Sequence, residues 1–171
     1  MVKILLMAIA SAVLGGTAYI FEVSFSYADL KDYCNTLFAL SGLIFTIMGI
    51  WIAFVYPNAI KRLQDPDKII MADFTATMND TRRLESIVGA VMESGFVALS
   101  ITIFYLIKII LSGLPFYEGL SGVFKYGSLT FIFFLTFIQF SSVFSVIHAN
   151  YLFIDELHTR REVQERNNDV S

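Results

Sequence analysis

Four long apolar stretches dominate the chain, over residues 4–21, 37–56, 87–111 and 126–153. A membrane-spanning helix needs about 17–25 mostly apolar residues, and each stretch meets that length. The second carries no formal charge, the third is interrupted by Glu93 and Lys108, and the fourth contains Gln139 and His148. None shows the alternation of a β-barrel strand. Backbone groups in hydrocarbon must pair within their own segment, so the pattern predicts four helices. The expected fold is all-α: an integral membrane four-helix bundle, residues 1–171 forming one domain. A short cytoplasmic amphipathic segment is expected between the second and third spans.

The first stretch has a second reading. Met1-Val2-Lys3 resembles a short n-region, and Gly16-Thr17-Ala18 a small-residue cleavage site. The apolar run continues through Tyr19, Ile20 and Phe21, which suits a retained span better.

The polar segments set the expected orientation. Lys3, Lys61, Arg62, Lys68, Arg82, Arg83, Arg160, Arg161 and Arg166 fall on one side. Lys31, Lys108 and Lys125 fall on the other. Lys and Arg accumulate in cytoplasmic loops, so the first side is expected inside, with both termini. The outer segment 22–36 is acidic and aromatic. Its Phe25, Tyr27 and Tyr33 suit an interfacial belt better than a receptor site. The outer segment 112–125 has Gly113, Pro115, Gly119 and Gly122, which is turn chemistry. In the inner loop, 57–86, Asp65-Pro66-Asp67 reads as a turn. Ile69, Ile70, Met71, Phe74 and Met78 recur at spacings that suit a short amphipathic helix on a bilayer or a partner. Asp65, Asp67 and Asp73 read as a solvated face. The tail, 154–171, reads as the fourth helix projecting into the cytosol and fraying at Asn167-Asn168. Glu156 with Arg160 and Glu162 with Arg166 have the spacing of helical ion pairs. The sharper reading makes Arg160, Arg161, Glu162 and Arg166 a docking stub for a cytoplasmic regulatory protein.

Ionisable groups inside a membrane are expensive and suggest function by default. Glu93 and His148 are expected at similar depths on consecutive helices, where they would pair if they face each other. Asn150 stands close enough to join them. A polar clamp between helices is the plainer reading, and a titratable or ion-attracting site is the other. Gln139 reads as helix–helix glue, and Lys108 as a snorkelling side chain. Small residues mark packing faces: Ala90, Ser94, Ala98 and Thr102; Ser141, Ser145 and Ala149; Ser11 with Gly15 and Ala12 with Gly16. They suit a compact bundle or a homo-oligomer equally.

Composition strengthens the membrane reading. The chain is 56% hydrophobic and 16% charged, with mean hydropathy +0.67. Soluble domains average about 45–50% apolar and roughly 25% charged residues. A net charge of −3 gives no nucleic-acid footprint. The single cysteine, Cys34, excludes an intramolecular disulfide and a cysteine-based zinc site. No Walker loop, nucleophile elbow, HExxH or cysteine pair appears, so neither an enzyme nor a cofactor is expected.

The order of features resembles the RexB-like four-span phage-exclusion proteins and retron-type anti-phage membrane effectors. A second span ends in a basic stretch, Asn58-Ala59-Ile60-Lys61-Arg62-Leu63. A third carries Glu93-Ser94-Gly95. A fourth carries Ile147-His148 and ends in Leu157-His158-Thr159-Arg160-Arg161-Glu162. The resemblance spans most of the chain, although the inner loop is longer than that family needs. It implies an inner-membrane effector that depolarises the bacterial membrane in antiviral defence, held in check by a partner that senses infection. The leak would pass Glu93, His148 and Gln139 within an oligomer. Two other functions fit the residues: a non-conducting anchor or accessory subunit, and an oligomeric ion or proton transporter.

Overall fold

The computed structural model describes residues 2–55, 74–113 and 121–169. These form four helices: α1 (Val2–Ile20), α2 (Tyr27–Val55), α3 (Phe74–Ser112) and α4 (Ser121–Asp169). Each contains a stretch long and apolar enough to cross a membrane: Val2–Ile20, Tyr27–Ile52, Glu85–Ser112 and Gly122–Asp155.

Two helix boundaries follow from local chemistry that hydropathy does not register. α2 starts well before residue 37, so most of the expected outer loop is helical. Ser26 and Asp29 form a reciprocal capping box. The Asp29 backbone N–H donates to Ser26 Oγ at 3.1 Å, and the Ser26 N–H donates to Asp29 Oδ2 at 2.9 Å. Phe25 packs against the core cluster that holds Leu30, the staple that commonly accompanies such a box. α1 ends in a Schellman motif. The Val23 N–H reaches the Ala18 carbonyl at 3.0 Å, and the Glu22 N–H reaches the Tyr19 carbonyl at 3.2 Å. The residue this motif places in the left-handed region is Glu22, with φ 47°. Glycine is usual there, and a side chain at that position costs about 1–2 kcal/mol.

Other expected boundaries shift as well. Gly122 and Lys125, expected in a turn-rich loop, lie in α4. Gly113 closes α3 in a turn, its N–H on the Ile110 carbonyl at 3.3 Å. α4 continues through Asn167 and Asn168 to Asp169 without the expected break. The amphipathic segment expected from Ile69 onward falls partly outside the described residues, and Phe74 and Met78 belong to α3. The Asp65-Pro66-Asp67 turn lies outside the described residues.

α4 is the hub and packs against the other three helices, while α3 also packs against α2. α1 docks on α4 through its buried residues Ser11, Gly15 and Ala18. Of its two small-residue pairs, Ser11 with Gly15 faces the protein, and Ala12 with Gly16 is exposed. A Cβ at Gly15 would run into the Thr130 side chain, so glycine sets how closely these backbones approach. On α3 the small-residue line drifts out of the core: Ala90 and Ser94 are buried, Ala98 is half-buried and Thr102 is exposed. A four-residue repeat rotates by about 40° per step on a helix of 3.6 residues per turn. The buried line therefore passes to Val97 and Ile101.

Two apolar clusters fill the bundle. One joins Leu30, Cys34, Leu37, Val97, Ile101, Ile132, Leu135 and Ile138. The other joins Ile44, Met48, Ile87 and Ala149, with Trp51 against Phe153 in an edge-on contact at 4.9 Å. The outer surface is apolar too. Leu5, Leu6, Ile9, Phe38, Phe45, Phe96, Leu106, Phe140 and Phe144 are all exposed. Small and polar side chains share the interior with these clusters, among them Ser41, Ser94, Gln139 and Ser142.

Candidate functional site

Buried polar groups of α2, α3 and α4 form a layer between the two apolar clusters, and α1 joins it at the surface through Lys3. Its centre is Gln139 of α4, with no exposed surface. Its Oε1 accepts a hydrogen bond from Ser41 Oγ of α2 at 3.0 Å. Its Nε2 donates to Ser94 Oγ of α3 at 3.3 Å. Ser94 Oγ in turn donates to the Ser41 carbonyl at 3.4 Å. The Ser41 hydroxyl also lies 3.0 Å from the Leu37 carbonyl, so one proton is shared between two acceptors. Beside this triangle, Ser142 Oγ donates to the Ala90 carbonyl at 2.6 Å and ties α4 to α3 again.

Glu93 immediately precedes Ser94 and carries the layer to the bundle surface. Its two carboxylate oxygens have different partners. Ser141 Oγ of α4 donates to Oε2 at 2.8 Å. Lys3 Nζ of α1 donates to Oε1 at 3.2 Å, forming an ion pair. Lys3 belongs to the first turn of α1, where the positive end of the helix dipole also favours a carboxylate. The ion pair remains half open, with the Lys3 side chain 57% and the Glu93 side chain 36% exposed. Among the described residues, every buried side-chain nitrogen and oxygen has a hydrogen-bond partner. A satisfied network of this kind holds helices in register, because sliding any one of them would orphan polar groups.

Among the described residues, the layer also marks a change in the number of helices. α1 runs antiparallel to α4. Tyr19 meets Tyr126 at 5.2 Å between ring centroids, Gly15 meets Thr130, and Lys3 reaches the level of Ser141 through Glu93. The first described turn of α1 lies at this level, while α4 continues to Asp169. On one side of the layer four helices pack together. On the other, α2, α3 and α4 pack around Ile44, Met48, Ile87 and Ala149. Glu93 and Lys3 lie at this step.

The remaining expected site residues lie elsewhere. His148 is exposed on α4, seven residues beyond Ser141, and does not pair with Glu93. That separation is roughly 10 Å along the axis. The apolar stretches of α3 and α4 are staggered, so equal distance from their charged ends does not mean equal height. Asn150 is half-buried on α4, beside Ala149 of the second apolar cluster and about three turns beyond Gln139. Lys108 points its ammonium at the Tyr27 ring, 4.5 Å from the centroid. Tyr33 bonds Thr136 across α2 and α4 at 3.1 Å. Arg161, Glu162 and Arg166 are exposed on α4, and Glu162 and Arg166 do not form their expected ion pair. The side chain of Arg160 lies outside the described residues.

Sequence reasoning missed Lys3, Ser41 and Ser142 as members of the layer. Lys3 reads as an orientation charge, since nothing local ties it to a residue ninety positions away. Ser41 and Ser142 look like any hydroxyl that bonds back to its own helix. No known protein family matches the chain, and neither a curated protein nor a solved structure does so.

Proposed function

We propose that this chain is an integral inner-membrane protein that permeabilises the membrane, and that the bundle of α1 to α4 is its closed state. The apolar exterior supports insertion, because a surface of exposed Leu, Ile and Phe suits acyl chains and not water. The bias of Lys and Arg supports cytoplasmic termini. One observation carries the functional reading: the polar layer, to which all four helices contribute. In hydrocarbon such groups are costly unless paired, so the layer is a latch while its bonds are made. When helices of several copies rearrange, the same Gln, Ser and Glu side chains become a polar path for ions. The layout shared with RexB-like exclusion proteins supports the same reading. In it, α4 beyond Asp155 receives the regulatory signal at Arg160, Arg161, Glu162 and Arg166.

The test is membrane potential, read with a voltage-sensitive dye in bacteria making the chain alone. The wild-type chain is expected to lower the potential. Glu93→Gln removes the carboxylate's charge from the latch and is expected to deepen the loss. Normal potentials for both chains, after verified insertion, contradict the proposal.

A second reading rests on a different feature. α4 continues as helix from Asp155, the end of its apolar stretch, to Asp169. A non-conducting anchor would use that extension to hold a soluble partner. It predicts a co-purifying protein lost on deletion of residues 155–171, with membrane potential normal throughout. Loss of potential without any partner dismisses it.

A further inference from the structure

At the opposite end of α1 from Lys3, Tyr19, Glu22 and Ser24 line an open cavity with Lys125 and Tyr126 of α4. Its volume is about 510 Å³, within the roughly 300–1,000 Å³ of small-molecule sites. Two opposite charges face this space without meeting. Among the described residues, no cation lies within ion-pair distance of Glu22, and no carboxylate within that distance of Lys125. Lys125 instead holds its ammonium over aromatic rings, 4.5 Å from the Phe25 centroid and 5.9 Å from that of Tyr126.

Glu22 is placed there against two opposing effects. It occupies the left-handed position of the Schellman motif, where glycine is unstrained. It also puts a carboxylate at the C-terminus of α1, the negative end of the helix dipole. An unpaired acid in a strained conformation, lining a cavity, motivates a functional reading. A bound cation relieves the electrostatic conflict. The rings of Tyr19 and Tyr126, in edge-on contact at 5.2 Å, add cation-attracting faces to the same wall.

We propose that this cavity binds an ammonium–phosphate zwitterion, the chemistry of a phosphoethanolamine group. The ammonium pairs with Glu22 and the end of α1, while the phosphate pairs with Lys125 and the Ser24 hydroxyl. The cavity lies at the end of two apolar helices, the level of lipid headgroups. Phosphatidylethanolamine is one source of this chemistry, and a soluble phosphoethanolamine compound is the other.

The experiment is thermal unfolding of the full chain in detergent micelles. The probes are phosphatidylethanolamine, phosphatidylglycerol and glycerophosphoethanolamine. Phosphatidylethanolamine is expected to raise the midpoint by a few degrees, as a ligand that binds only the folded state does. Phosphatidylglycerol keeps the phosphate but lacks the ammonium, and is expected to give at most a small fraction of that shift. A shift with the lipid alone assigns the site to a headgroup, and an equal shift with glycerophosphoethanolamine assigns it to a soluble ligand. Glu22→Gly is expected to raise the ligand-free midpoint, because glycine suits the backbone, while abolishing the ligand-induced shift. Lys125→Met is expected to abolish that shift too. Equal shifts with both lipids, no shift with any probe, or a full shift in Glu22→Gly overturns the proposal.

Discussion

Gln139 links three helices through one amide, accepting from α2 and donating to α3 with no exposed surface. Hydrogen bonds between membrane helices contribute about 0.6–2 kcal/mol each. Gln139→Leu fits an apolar bundle by size but deprives two buried hydroxyls of a partner. It is expected to cost about 1–3 kcal/mol, read as a lower unfolding midpoint in detergent. An unchanged midpoint would mean that the triangle does not hold the bundle. The polar character of this position is legible in the sequence, since an amide at the centre of a long apolar run has little alternative to bonding another helix. Its partners are not legible. Hydroxyls occur in all four spans, and only the rotation of each helix selects Ser41 over Thr46 and Ser94 over Ser100. For the same reason Glu93 is identifiable as a costly charge, while its partner Lys3 is not. The expected partner, His148, is nearer in sequence but sits on another level of α4.

At the scale of elements, the number and type of helices follow from apolar run length alone, but their ends do not. The charges Asp29, Lys31 and Asp32 hide the first turns of α2 from a hydropathy reading, although Ser26 and Asp29 spell out its capping box. Removing one partner of such a cap costs about 0.5–2 kcal/mol. Ser26→Ala is expected to lower stability by about 1 kcal/mol and to speed amide exchange in the first turn of α2. Unchanged exchange there would show that the cap does not fix the helix start. The docking of α1 rests on a smaller feature. Gly15→Ala places a methyl against Thr130, and overpacking of this kind costs about 1–3 kcal/mol. A Thr130→Ala change in the same chain removes the hydroxyl and is expected to recover part of the loss. Two independent, additive costs would mean that the helices do not meet at this point. The sequence offers two small-residue pairs on α1 and gives no reason to prefer one. Helix rotation turns Ser11 and Gly15 inward, leaving Ala12 and Gly16 exposed.

For the whole molecule, apolar side chains cover the exterior, and a polar layer crosses an interior that is otherwise apolar. The layer lies where the first turn of α1 meets the three longer helices, and its ion pair is half open. On the proposed account, Lys3 and Glu93 fasten α1 across the closed state, and freeing α1 begins the rearrangement. The latch therefore depends on the pairing of these two charges and not on the identity of either residue. Exchanging them separates the pairing from other effects of mutation. Lys3→Glu alone and Glu93→Lys alone each set like charges against one another, while the double exchange restores an opposite pair. The decisive measurement is dye-reported membrane potential in cells making each of these chains at matched, verified insertion. The account predicts a deeper loss of potential for each single exchange than for the wild-type chain, and a return toward the wild-type value for the double exchange. The same potential in all four chains, or a double exchange that leaks as much as the singles, would contradict it.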